Sequence, residues 1–282
     1  MFDSRHPIHA MRIAVVVPVY LPILTDDERI SFIRTLDILG KHRIMLVCPK
    51  GLDTVVYEQL AGSRGVSLAH ERFEEVFFQG TSGYNRLLLS PLFYMRFSNY
   101  DYLLICQLDA YVFRDELMSW CQKGYDFLGP PLFDDEHPVI GLEGMKVGNG
   151  GFSLRKVQTY IDYFQSRKHV FSPGQIARRI SLWKKPHTRL FVWLFMCLGW
   201  RNKPVSIAAR YRYNEDIFWS LYLEDSRFQL KKPAPEEALS FAFERFPKEL
   251  YEFAGRHLPF GCHGWRRYEY EEFWKDYIRG DE

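Results

Sequence analysis

Residues 12–18 read Arg-Ile-Ala-Val-Val-Val-Pro, an unbroken apolar run stopped by proline. A strand with one wet face alternates apolar and polar residues. A run without alternation needs cover on both faces, the condition met by inner strands of a parallel sheet. Two similar runs follow: Arg43 to Cys48, stopped by Pro49, and Tyr102 to Cys106, leading into Gln107, Leu108 and Asp109. Between the first two, Thr25-Asp-Asp-Glu28 forms a capping box ahead of Ile30, Ile33 and Leu36 at helical spacing, and Gly40 closes the pattern. Strand, helix and strand in this order predict a right-handed βαβ unit and an α/β fold.

The dense apolar pattern of 84–97 predicts a deeply buried helix bent at Pro91. Further helices are predicted at 115–122, 156–164 and 214–223, with an amphipathic one at 270–278. Residues 127–131 are predicted extended, 134–138 a polar loop, 148–151 a turn, and 152–155 a strand. Residues 172–212 differ in composition and mark an insertion, in which basic positions surround the apolar stretch Leu190 to Leu198. That stretch is too short to span a bilayer. Its favoured reading is a helix buried against the sheet. The alternative is a helix in a membrane interface, its aromatic residues immersed and Lys or Arg meeting anionic lipid.

The 282 residues suffice for one sizeable core, taken as a single domain over 11–282 after a polar, flexible leader at 1–10 that lacks the apolar stretch of a signal peptide. A net charge of +2, from 37 Lys and Arg against 35 Asp and Glu, argues against a nucleic-acid partner. Five cysteines in no metal-type spacing read as free thiols in a reducing compartment. The expected location is the cytoplasm, with a peripheral position at the inner face of the membrane as an extension of the interface reading.

Four segments carry candidate chemistry. Asp109 follows an inner strand, and in open α/β sheets ligands bind beyond the carboxyl ends of strands; taken alone, such an Asp also serves as a cap or turn residue. Gly148-Asn-Gly-Gly151 permits close backbone approach to a ligand or a plain tight turn. Asn214 can cap a helix with Glu215 and Asp216 in its first turn, where the helix dipole favours acids in any case. His263, between glycines in Phe-Gly-Cys-His-Gly, is a candidate metal ligand, a cationic partner of a phosphate, or an ordinary surface or core residue.

These segments, in this order, resemble the GT-A glycosyltransferases, with a mostly parallel, Rossmann-like central sheet. Gln107-Leu-Asp-Ala-Tyr-Val-Phe113 resembles the Asp-x-Asp signature, with Tyr111 standing where the second carboxylate would be. Glu215-Asp216 resembles the acidic pair of inverting members, which implies Asp216 as the base and Glu215 as an acceptor-side or metal-side partner. More narrowly, Cys48 to Asp53, Gly83 to Asn85, Gln107 to Ala110, Asn149 to Arg155, Glu215 to Phe218 and Pro259 to His263 resemble a little-characterised bacterial glycosyltransferase family associated with surface-polysaccharide synthesis. The resemblance implies a donor site of Pro18, Val19, Tyr20, Lys50, Tyr84, Asn85, Arg86, Gln107, Asp109, Ala110 and Tyr111. It implies acceptor contacts at Asn149, Gly150 and Gly151, and a divalent cation, Mn or Mg, on Asp109 and His263. The implied partners are a nucleotide-sugar donor, a UDP-sugar among the options, and a saccharide or lipid-linked saccharide acceptor. A non-catalytic carbohydrate-binding protein, for which Tyr111 is the argument, and a sugar nucleotidyltransferase are the rival readings.

Overall fold

The structure, a computed structural model, describes residues 11–133, 146–181 and 186–278. The expected leader at 1–10 and polar loop at 134–138 lie outside the described residues. Strand β1 (Ile13–Pro18) is buried at every position, as its lack of alternation demands. Helix α1 (Asp26–Leu39) starts on the capping box: the Glu28 N–H donates to the Thr25 hydroxyl at 3.3 Å, and the Thr25 N–H to the Glu28 carboxylate at 2.9 Å. There follow β2 (Arg43–Pro49), α2 (Val55–Gly62), β3 (Ala69–Phe73), α3 (Gly80–Leu88), α4 (Pro91–Arg96) and β4 (Tyr102–Cys106). Beyond them come β5 (Ala110–Val112), α5 (Leu117–Gln122), β6 (Phe127–Leu128), β7 (Pro131–Leu132), β8 (Lys146–Val147), β9 (Phe152–Lys156) and α6 (Val157–Gln165).

Six of the described strands form one sheet in the order β3-β2-β1-β4-β9-β6. The first four are mutually parallel, and β9 runs antiparallel between β4 and β6. The α/β class and mostly parallel central sheet expected from the sequence are therefore present. The region expected as an insertion is helical, with α7 (Pro173–Ser181), α8 (Pro186–Cys197) and α9 (Pro204–Ala208). The chain ends through α10 (Glu215–Ile217), α11 (Pro235–Phe241), β10 (Ala242–Phe243), α12 (Pro247–Phe253) and β11 (Gly261–His263). Strands β10, β11 and β5 make a second, small sheet.

Four local expectations change. The single bent helix at 84–97 is two helices, because the Ser90 hydroxyl accepts the Leu92 N–H at 3.1 Å and Pro91 begins α4 as its first residue. The helix expected at 214–223 gives way after α10 to a π-helical turn at Phe218–Tyr222. Residues 270–278 form turns and one short 3-10 segment, Trp274–Asp276; their apolar side chains, Phe273, Trp274 and Ile278, are buried without an α-helix. Helix α8 is buried on one face alone: Val192, Trp193, Met196 and Cys197 pack onto the core while its other face is exposed. The aromatic residues largely serve packing, as around Tyr94, which stacks on Tyr160 at 4.3 Å and meets Trp219 edge-on.

Candidate active site

Just beyond β4 the chain reverses. The Ala110 N–H donates to the Gln107 carbonyl at 2.9 Å, closing a turn with Leu108 and Asp109 at its centre. The turn delivers the chain to β5, which pairs antiparallel with β11 so that Ala110 faces His263 and Tyr111 faces Cys262. The Gly264 N–H donates to the Asp109 carbonyl at 2.9 Å and fixes the crossing. Four side chains meet there. His263 Nε2 lies 3.2 Å from Asp109 Oδ1 and 3.2 Å from Gln107 Oε1, while Nδ1 lies 2.9 Å from Glu244 Oε1.

This geometry shifts the frame of the acidic motif. Counting along an uninterrupted strand puts residues 109 and 111 on one face. The turn breaks that count and sends Tyr111 into the core, against Phe113 and Trp265, with the Arg34 guanidinium 5.5 Å from its ring centroid. The residue that shares the site with Asp109 is Gln107, two positions before it.

Burial opposes a charge on His263, yet the carboxylates of Asp109 and Glu244 outweigh it and raise the imidazole pKa to about 10. For Asp109, burial works against ionisation, and His263 and then Arg267 hold its carboxyl below the ordinary value.

A cleft of about 440 Å³ opens beside this cluster, beyond the carboxyl ends of β1 and β4, lined by Pro18, Tyr20, Tyr84, Gln107 and Asp109 together with Phe78 and Thr81. The other residues expected at the donor lie elsewhere. Val19 is fully buried, with its N–H bonded to the Val47 carbonyl. Lys50 pairs with Glu74, and Ala110 is buried with Tyr111 in β5. Asn85 and Arg86 sit on another flank of α3 and line a separate hollow of about 360 Å³. From there Asn85 Oδ1 accepts the Glu215 N–H at 3.1 Å, tying α3 to α10.

Asn149, Gly150 and Gly151 pass between His263 and the acidic pair. Asn149 donates to Glu244 at 2.9 Å, and its Oδ1 accepts the Gly151 N–H at 2.8 Å. The Gly150 N–H donates to Asp216 Oδ2 at 3.1 Å. A Cβ on Gly151 would come 2.0 Å from His263 Nε2, and one on Gly150 2.7 Å from Glu215 Oε1. Only a backbone without side chains fits this passage.

Glu215 is buried, and both its oxygens accept from Arg155, at 2.7 and 2.9 Å. Arg155 is itself fully buried on β9 and also donates to the Tyr94 hydroxyl at 3.0 Å. Asp216 is partly exposed. Burial and then the charge of Glu215 raise its pKa to about 6, against the opposing N–H groups of Ile217 and Gly150.

Among the described residues, no three His, Cys, Asp or Glu side chains gather as a metal-holding set. Asp109 Oδ1, His263 Nε2 and Gln107 Oε1 do converge, with Glu244 on the far ring nitrogen in the manner that orients a ligating imidazole. These donors fit a hard divalent cation that displaces the Nε2 proton of His263 on binding and whose remaining positions are filled by ligand oxygens.

Sequence reasoning missed Glu244, Arg155 and the cleft residues Phe78 and Thr81. Arg155 had a signal: a guanidinium in the strand Phe-Ser-Leu-Arg-Lys requires a carboxylate within reach when that strand is covered.

The fold is an α/β sheet with a polar cluster and cleft at the carboxyl ends of its parallel strands. The chain belongs to the family described as a protein of unknown function, DUF5672, whose model matches residues 67–263. No curated protein matches it. Solved structures with similarity include the galactosyltransferase LgtC in complex with donor and acceptor sugar analogs, at 12% identity and a TM-score of 0.47, covering 89% of this chain and 86% of that one. Core-mannan synthase A (CmsA/Ktr4) from Aspergillus fumigatus, in an Mn/GDP form, aligns at 12% identity and a TM-score of 0.40, covering 76% and 73%. S. aureus TarS in complex with UDP aligns at 13% identity and a TM-score of 0.36; the match covers 54% of this chain and about half, 48%, of that one.

Proposed function

We propose that this protein is a GT-A type glycosyltransferase that moves a sugar from a nucleotide-sugar donor, a UDP-sugar among the options, to a hydroxyl of a saccharide or lipid-linked saccharide, with inversion, in bacterial surface-polysaccharide synthesis. The observation that carries the reading is the Gly150-Gly151 passage, which sets Asp216 on one side and the His263–Asp109 cluster on the other. A displacement reaction needs a base for the incoming hydroxyl and positive charge for the departing diphosphate, and the two clusters supply these roles.

Pro18, Tyr20 and Tyr84 give the cleft wall on which the nucleoside and donor rest. Gln107, Asp109 and His263 would hold a divalent cation, Mn or Mg, which when bound neutralises charge on the diphosphate. Asp216 takes the proton of the acceptor hydroxyl as its oxygen attacks the anomeric carbon opposite the leaving diphosphate. A carboxylate titrating at about 6 is ionised at neutral pH and is a better proton acceptor than an ordinary Asp. Glu215 takes a different role from the acceptor or metal contact expected of it: bound to Arg155, it positions Asp216 and supplies part of the charge that raises that group's pKa.

Tyr111, the residue that favours a non-catalytic sugar binder, lies in the core, outside the cleft. For a nucleotidyltransferase, a glycine-rich loop containing Lys is wanted after β1, where Val19-Tyr-Leu-Pro22 stands. Incubation with a panel of nucleotide sugars and saccharide acceptors tests the proposal. Acceptor-dependent release of nucleoside diphosphate that Asp216→Asn suppresses supports it; transfer undiminished in that variant refutes the base assignment.

A further inference from the structure

Between Asp162 and Glu215 the sequence has eleven Lys and Arg and no Asp or Glu, in a chain whose net charge is +2. The rest of the chain is therefore net acidic, and the positive charge is concentrated in residues 163–214 of the sequence. Within this stretch the outer face of α8 is apolar: Leu190 is 63% exposed, Phe191 64%, Leu194 44% and Phe195 52%, followed by Leu198 at 80% and Trp200 at 47%. Spacings of one, four, five and eight residues from Leu190 place the first five on one helical stripe. This polarity is the reverse of that of a surface helix in water.

The helix is nevertheless docked. Its opposite face packs on the core through Val192, Trp193, Met196 and Cys197, and Trp193 Nε1 donates to the Pro173 carbonyl at 2.9 Å. At the end of the stripe the Arg201 guanidinium lies 4.1 Å from the Trp200 ring centroid, so a cation sits beside the exposed aromatic ring. Twelve helical residues measure about 18 Å, well short of a bilayer core.

We propose that α8 seats this protein flat on a membrane surface containing anionic lipid, the stripe Leu190, Phe191, Leu194, Phe195 and Leu198 entering the interface and Arg201, beside Trp200, meeting the headgroups. The stripe supplies buried apolar area, and the acid-free basic stretch selects anionic over neutral lipid. This docking stands independently of sugar transfer.

Sedimentation of the full chain with vesicles of phosphatidylcholine, alone and mixed with phosphatidylglycerol, tests it. Binding should be about tenfold tighter to the mixed vesicles and weaken as salt rises. Phe191→Glu with Leu194→Glu should lose about tenfold or more of that binding. Both positions are exposed, and an unchanged melting temperature separates lost docking from lost folding. Equal binding to both vesicle types, or full binding by the double variant, overturns the proposal. Concentration-dependent dimerisation abolished by the same substitutions, without vesicle binding, overturns it in favour of a second copy as the occupant.

Discussion

Arg155 grips Glu215 through two hydrogen bonds, Nη1 to Oε2 at 2.9 Å and Nη2 to Oε1 at 2.7 Å, with both side chains removed from water. The pair joins β9 to α10 and thereby sets where the next residue, Asp216, stands. Arg155→Met strands a buried carboxylate, and urea unfolding should register a loss of about 3–5 kcal/mol. Arg155→Met with Glu215→Leu removes both charges and should recover part of it. A single-variant cost below about 1 kcal/mol would show that the pair does not hold the site together.

Gly151 lies against His263. Gly151→Ala forces a methyl to within 2.0 Å of the unshifted ring nitrogen, so the imidazole or the backbone must move. Transfer should fall by about 10²-fold, since small displacements at a reacting centre cost that much, while circular dichroism stays native. Full activity in this variant would remove His263 from the reaction.

Asp216 must be ionised to take a proton. With its pKa raised to about 6, kcat/KM should climb with pH below that value, about tenfold per unit, and level off above it. Asp216→Asn should lower kcat by about 10² to 10⁴ at pH 7 with little change in donor KM. A flat profile between pH 5 and 7, roughly one unit either side of the assigned value, would contradict the assignment.

The shifted acidic frame separates two substitutions that look equivalent in the sequence. Gln107→Asp adds a carboxylate to the cluster at His263 and should tighten Mn binding, read as a larger thermal shift in the presence of UDP. Tyr111→Asp buries a charge among Phe113 and Trp265 and should lower the melting temperature without any gain in Mn response. Chelator should cancel the thermal shift of the native chain, and Asp109→Asn should abolish it. A Mn response gained by Tyr111→Asp would restore the original frame.

Much of the framework was readable along the chain because it depends on local pattern. Apolar runs without alternation at 13–18 and 43–48 become inner parallel strands, and the Thr25 to Glu28 box starts α1. Where the forecast failed, tertiary contacts overrode local preference. Ser90 and Pro91 restart a helix, and the apolar residues of 270–278 are satisfied by burial in turns. The outer face of α8 carries the same letters as a core helix, and only its placement decides that this face meets solvent.

The sequence alone determined the α/β class, the position of Asp109 after an inner strand, and the presence of a glycine cluster, an acidic pair and a late histidine in that order. It could not say which of these residues touch. That is decided by the turn at Leu108-Asp109 and the antiparallel pairing of β5 with β11, which set Gln107 in place of Tyr111 beside Asp109 and His263. Periodicity reports which face a residue takes within one element, whereas a reversal between elements and a pairing across some 150 residues are fixed by packing energies that no local window contains.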